Sequence, residues 1–182
     1  MFSIQIEPDL HIELLHLLHS KDLFALVEKN REHLREWLQW VDDTKGIKDI
    51  ENFIRRTMQQ YADDLGFQVG IFYNNQLAGI SGFLPLNKIN SIGELGYWLS
   101  RDAEGNGIMT KVNEKLIQTG FESLGLNKIV IHCAAENKKS RSVAERLGFK
   151  PDGILRQNQW LYDHFVDHVE YSLLKSEYQK SS

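Results

Sequence analysis

The run Leu99-Ser100-Arg101-Asp102-Ala103-Glu104-Gly105-Asn106-Gly107-Ile108-Met109-Thr110 holds the residue types and spacing best suited to chemistry. A strand-like run, Ile92 to Leu99, enters it. A helix-like run leaves it, with Met109, Val112, Leu116, Gly120 and Leu124 at helical spacing. Glycine tolerates positive φ and lets a ligand approach bare backbone. The first N–H groups of a helix point outward without partners. Gly105 to Thr110 therefore has the makings of a phosphate or pyrophosphate site. An ordinary strand-to-helix turn is the competing account of the two glycines. A nucleotide P-loop is excluded, because no Gly-Lys-Ser/Thr follows. The dinucleotide fingerprint fits poorly, because Thr110 holds the position of its third small residue.

Glu94, just upstream, is a candidate base acting through a water. Side chains alternate along a strand, so Glu94 shares a face with Gly96 and Trp98. Gly96 leaves room for an acceptor and Trp98 can wall it. Burial that raises the carboxyl pKa would equip Glu94 for proton transfer near neutrality; a strand glutamate held in an ion pair is the alternative. Asp102 is a weaker candidate, since loop acids are usually solvated. Cys133, inside an apolar strand, reads as a small buried hydrophobe rather than a nucleophile. The seven histidines offer no ligand spacing, and no metal is expected.

A second signal lies downstream. The apolar run Ile129-Val130-Ile131-His132-Cys133-Ala134 precedes Asn137-x-x-Ser140-x-x-Val143 and then Leu147-Gly148-Phe149. This pair of signals resembles the GCN5-related N-acetyltransferase (GNAT) superfamily. Glu94-Leu95-Gly96-Tyr97-Trp98-Leu99, with Glu104 to Thr110, is similar to the RimL-like branch that acetylates ribosomal protein N-termini. The likeness spans nearly the whole chain, is most specific from Glu94 to Phe149 and weakens over residues 1 to 65. The chain departs from the family at Asp102, where the superfamily prefers Gln or Arg.

The resemblance implies acetyl-coenzyme A, its pyrophosphate on the backbone of Gly105, Asn106, Gly107, Ile108, Met109 and Thr110. It implies that the pantetheine arm pairs with backbone near Trp98, Leu99 and Ser100, where two strands diverge. It sets Ser140 near the sulfur as a general acid, against a helix N-cap as the alternative. Asn137 would bond the cofactor arm or fix its loop. Trp37 and Trp40, followed by Asp42 and Asp43, fall in the segment that covers the acceptor cleft, and suit a cationic amine; core packing is the alternative, stronger for Trp37. Tyr162 and Asp167 are expected to line the same cleft. The implied reaction is direct acetyl transfer to a primary amine. The resemblance points mainly to a protein N-terminus as acceptor, and its reference pKa of about 7.7–8.0, against about 10.4 for lysine, favours it slightly further. The alternatives are a small amine such as a polyamine, antibiotic or amino acid derivative, and a non-catalytic acyl-coenzyme A-binding module. By analogy with relatives, a homodimer is expected.

These residues need a scaffold, and a chain of 182 residues is long enough to bury one core as a single domain. Its 42% hydrophobic and 25% charged residues are ordinary for a globular protein. The net charge of −4 disfavours general nucleic-acid binding. A single cysteine excludes an intrachain disulfide and suits a reducing cytoplasm. Met1 to Leu10 has no secretory pattern, and no apolar run approaches the roughly 18 residues that span a membrane.

The expected order begins with a strand over residues 11–17, then a helix capped by Ser20. A second helical stretch carries Leu34, Trp37, Leu38 and Val41 on one face, and a third runs from Asp49 to Leu65. A hairpin over 67–73 and 77–84 turns at Asn74-Asn75. Strand 92–99, the loop, a helix to Leu124, a central strand at 129–134 and a helix at 138–147 follow. A hairpin over 153–162 and 165–174 ends the chain. The pattern predicts an α/β fold with a mixed, mostly antiparallel sheet and helices on both faces.

Overall fold

The computed structural model describes residues 3–181. Eight strands form one sheet: β1 (Ser3–Glu7), β2 (Leu10–Leu14), β3 (Phe67–Tyr73), β4 (Gln76–Phe83), β5 (Ile92–Leu99), β6 (Lys128–Ala134), β7 (Lys150–Leu161) and β8 (His164–Leu174). Their spatial order is β1-β2-β3-β4-β5-β6-β8-β7. Neighbours are antiparallel except β5 and β6, which run parallel. The helices are α1 (Ser20–Lys29), α2 (Arg31–Arg35), α3 (Ile47–Ala62), α4 (Ile108–Glu122), α5 (Lys138–Arg146) and α6 (Lys175–Ser181).

Local chemistry accounts for most of the boundaries. Asn74 and Asn75 take left-handed backbone (φ 51 and 59), which matches the twist of the β3–β4 hairpin. The Asp49 carboxylate accepts N–H bonds from Lys45 and Gly46, both at 2.9 Å. That cap starts α3 at Ile47, two residues before the expected Asp49. Ser20 is not the cap of α1: it lies inside the helix and its hydroxyl donates to Leu17 O at 2.7 Å. The first strand is shorter than expected, because Leu17–His19 is already a 3-10 turn. The second helical stretch is cut to one short helix ending at Arg35, so Trp37 lies beyond it. The last hairpin turns at Tyr162 and Asp163, a residue earlier than expected, and β7 begins at Lys150. β1 and α6 were not anticipated.

Two cores sandwich the sheet. One joins Val69, Ile71, Phe83, Leu95, Ile129 and Ile131 to α4 residues Val112, Leu116 and Phe121. The other joins Leu15 and Ile80 to Leu23, Val27, Leu34, Ile50 and Ile54 of α1–α3. Strand alternation then sorts the site residues. Leu95, Tyr97, Ile131 and Cys133 belong to the α4–α5 side, whereas Trp98 packs on the α1–α3 side. Glu94 pairs with Val130, and His132, two positions further along β6, shares the face of Glu94 and Trp98.

β5 and β6 pair only through Ile92↔Lys128, Gly93↔Ile129 and Glu94↔Val130. Beyond that, β5 stays with β4 as far as Leu99, and β6 stays with β8 as far as Ala134. The sheet opens into a slot whose edges are residues 95–99 and 131–134.

Candidate active site

The glycine loop lies where β5 gives way to α4. It is pinned from outside: Asn30 Oδ1 accepts the Arg101 N–H at 2.9 Å, and Lys29 pairs with Asp102 at 2.7 Å. Lys29 holds the Asp102 carboxyl below its ordinary range, which makes Asp102 an anchor of the loop rather than a base. Glu104 meets Lys139 at 2.6 Å and His33 at 3.2 Å. Gly105 (φ 81) and Gly107 (φ 71) adopt the left-handed backbone that glycine accepts without strain, and Gly107 caps α4.

The first helical bond of α4 is Lys111 N–H to Gly107 O at 3.2 Å. Among the described residues, the amides from Gly105 to Thr110 have no backbone acceptor. This arc fits an anion such as a pyrophosphate. Ile108 and Met109 bury their side chains in the core, so only their backbone is available. The Asn106 amide group braces the loop, donating to Ala103 O at 3.2 Å and Glu104 O at 3.3 Å. Arg146 on α5 reaches Thr110 Oγ1 at 3.4 Å and adds a positive charge beside the arc.

The two open strand edges fit an extended chain that carries amides of its own. The Ser100 N–H is already used by Ala78 O at 2.7 Å, so its share is confined to other atoms. On the α4–α5 side, Ser140 Oγ lies 3.2 Å from Cys133 Sγ and donates to Tyr97 Oη at 3.3 Å; Tyr97 in turn donates to Ser140 O at 3.1 Å. The helix cap is Asn137, whose Oδ1 accepts the Ser140 N–H at 3.0 Å, so the Ser140 hydroxyl is not engaged as the cap and instead faces Tyr97 and Cys133. Burial pushes the Tyr97 phenol well above its ordinary pKa, so it remains a donor. Burial also pushes the Cys133 thiol up, against the opposing hydrogen bond from Ser140. A thiol held protonated is a poor nucleophile.

On the opposite face, Glu94 does form an ion pair: its Oε1 lies 3.0 Å from His132 Nδ1, and His132 Nε2 lies 3.0 Å from Glu170 Oε2. The hydrogen bond from Glu94 is the largest influence raising the His132 pKa, to about 9. The Glu94 side chain stays 37% accessible. Trp40 and Trp98 approach to 6.0 Å between ring centroids. Trp40 packs against the α1–α3 core, but Trp37 is half-buried outside it, opposite to the expected order. Tyr162 Oη donates to Leu38 O at 2.6 Å, and the Arg35 guanidinium lies 3.9 Å over its ring. The last hairpin thus closes on the segment holding Trp37 to Asp43. Asp167 instead accepts the Gln157 N–H at 2.7 Å and fixes a bulge in β7.

Away from the slot, Glu13, His16 and His19 offer ligand atoms within 4.8 Å of one another. Both Nδ1 atoms accept backbone N–H bonds, His16 from Leu18 at 3.2 Å and His19 from His16 at 3.4 Å. With both Nδ1 atoms accepting, the protons fall on the Nε2 atoms; His19 Nε2 faces Glu13 at 3.4 Å, whereas His16 Nε2 is buried without a partner among the described residues. Sequence reasoning missed His132, Tyr97, Glu170 and Arg146. His132 carried the one available signal, a polar residue within an apolar strand.

Residues 10–150 match the family described as Acetyltransferase (GNAT) domain. The provisionally named ribosomal N-acetyltransferase YdaF of Bacillus subtilis is 34% identical over 98% of each chain. The ribosomal-protein-serine acetyltransferase of Escherichia coli is 28% identical over 91% of this chain and 92% of its own. The microcin C7 self-immunity acetyltransferase MccE, solved with acetyl-CoA and AMP, is 27% identical; the match covers 94% of this chain and 95% of that one, with a TM-score of 0.89.

Proposed function

This chain belongs to the GNAT acetyltransferase family, and from that premise we propose that it acetylates the N-terminal α-amine of a protein. It is an acetyl-coenzyme A-dependent N-acetyltransferase. The residues described above fit that cosubstrate, which supplies the acetyl thioester. In the proposal, the amides of Gly105 to Thr110 hold its pyrophosphate. The slot edges near Trp98 and Leu99 pair with its arm, and a slot-facing N–H polarises the thioester oxygen. Asn137 acts by fixing the start of α5.

One observation carries the reading: the slot has a carboxylate on one face and a hydroxyl on the other. Glu94 takes the amine proton, directly or through water, and its free oxygen returns it to solvent. Ser140, backed by Tyr97, gives a proton to the departing thiolate. Base and acid stand on opposite sides of the sheet, so acceptor and leaving group need not exchange places. This arrangement suits direct transfer without an enzyme-bound acetyl group. Trp40 and Trp98 wall the acceptor side, with Trp37 at its rim.

Two considerations favour a protein N-terminus as acceptor. An α-amine is partly neutral near pH 7, whereas lysine is almost wholly charged, so a modest base suffices. The relatives named above include one called a ribosomal-protein-serine acetyltransferase. We assign the enzyme to the cytoplasm, because its single cysteine is buried and reduced. No helix among the described residues is long and apolar enough to cross a membrane. The exposed Ile154, Trp160 and Phe165 of the edge hairpin support a homodimer.

The test compares thiol release from acetyl-coenzyme A with three acceptors: a peptide with a free α-amine, an α-blocked peptide containing lysine, and spermidine. The free α-amine is expected to give the highest kcat/KM. A preference for spermidine makes this a small-amine enzyme. Cofactor binding without thiol release to any of the three, or to a wider amine panel, makes it a non-catalytic module.

A further inference from the structure

His132 lies between two carboxylates, with Nδ1 at 3.0 Å from Glu94 Oε1 and Nε2 at 3.0 Å from Glu170 Oε2. An ionised carboxylate only accepts, so both ring nitrogens must donate, and only the imidazolium does that. We infer that His132 is a positioning residue: an imidazolium, clamped from behind by Glu170, that fixes the Glu94 carboxylate for the acceptor amine. The inference rests on the reading of Glu94 as the base.

The surroundings agree. From β8, Glu170 bonds the ring and His168 stacks on it at 6.3 Å. Burial first, and then the charge of His132, lower the pKa of His168, so it is the neutral ring of the pair. Asn158 approaches His168 Nδ1 at 3.0 Å. From β6 itself, Lys128 lies 3.5 Å from Glu170 and 2.7 Å from Asp152 of β7. Charges thus alternate from Asp152 through Lys128, Glu170 and His132 to Glu94. Among the described residues, Glu94 Oε2 has no hydrogen-bond partner, so the end of this row is left for the acceptor.

His132 keeps its proton throughout the cycle. The proton lost by the ammonium goes to Glu94 and then to water. Activity therefore needs the imidazolium and falls on the alkaline side as the ring deprotonates. Removing the charge of Glu170, which is not placed against substrate, must move that alkaline limb to lower pH.

The experiment measures two things in the whole enzyme across pH: the NMR titration of the His132 ring and the kcat profile. Both are taken for the wild type, Glu170→Gln and His132→Gln. In the wild type the ring is expected to titrate near the alkaline limb. In Glu170→Gln both should fall together, by about one pH unit. In His132→Gln the alkaline limb should disappear along with most of the rate. A wild-type ring that titrates near its ordinary value overturns the inference. So does an alkaline limb that stays put in Glu170→Gln while the ring titration moves. Glu94→Gln, run in parallel, separates the two claims: a wild-type rate there defeats the base assignment itself, and a lost rate with an unmoved Glu170→Gln limb defeats only the role of His132.

Discussion

At the scale of single residues, chemistry in this molecule depends on which protons are held. Tyr97 and Cys133 are kept protonated by burial, and His132 by its two carboxylates. Raising a histidine pKa on folding means that the native state binds a proton that the unfolded chain releases. The stability from His132 is therefore complete below about pH 6.5 and lost as pH rises through about 9. Thermal melts from pH 6 to 10 should show a decline over that window in the wild type that is absent from His132→Gln. That variant should also be less stable near neutrality, by about 1–3 kcal/mol, because two facing carboxylates lose their shared donor. Equal slopes in the two proteins would contradict the imidazolium. Glu94 was legible in the sequence because strand alternation puts it beside Gly96 and Trp98. His132 and Glu170 were not, because their pairing depends on the register of β6 against β8, which no local pattern encodes.

At the scale of elements, the loop and α4 form the best-read part of the chain. Glycines, a strand before them and an apolar helical stripe after them all act locally, and Gly105 and Gly107 take the positive φ that glycine tolerates. A Cβ added at Gly107 would meet only Lys111 Cε, at 3.9 Å. Space is therefore not what demands glycine there; the backbone angle is, at about 1–2 kcal/mol for another residue. Gly107→Val should stay folded but reorient the amides, weakening acetyl-coenzyme A by roughly tenfold or more in calorimetry. Unchanged affinity would remove the loop from the cofactor site. Elements with weaker local signals were misjudged. β1 is an edge strand with a mixed burial pattern, and α6 is a short polar helix after β8. The second helix lost its last turns because its apolar residues pack from a loop: Val41 is buried and Leu38 half-buried, yet both lie past Arg35.

Across the whole molecule, the proposed function rests on where the sheet fails to stay closed. The sequence marks the strands and their mixed order, but not that β5 and β6 part after Glu94 and Val130. That break brings together residues far apart in the chain: Glu94 and His132 on one face, Tyr97, Cys133 and Ser140 on the other. Asn137, rather than Ser140, caps α5, which leaves the Ser140 hydroxyl on the Tyr97 and Cys133 side of the slot. Tyr162 ties the last hairpin to Leu38, and in the proposed function this contact forms the far wall of the acceptor side. The most direct test is a crystal structure with a bisubstrate analogue joining coenzyme A to the α-amine of a peptide through an acetyl bridge. The account predicts the arm between residues 95–99 and 131–134, the sulfur beside Ser140, and the peptide on the face of Glu94, Trp40 and Trp98. A peptide on the Cys133 face, or an arm lying outside the slot, would contradict it.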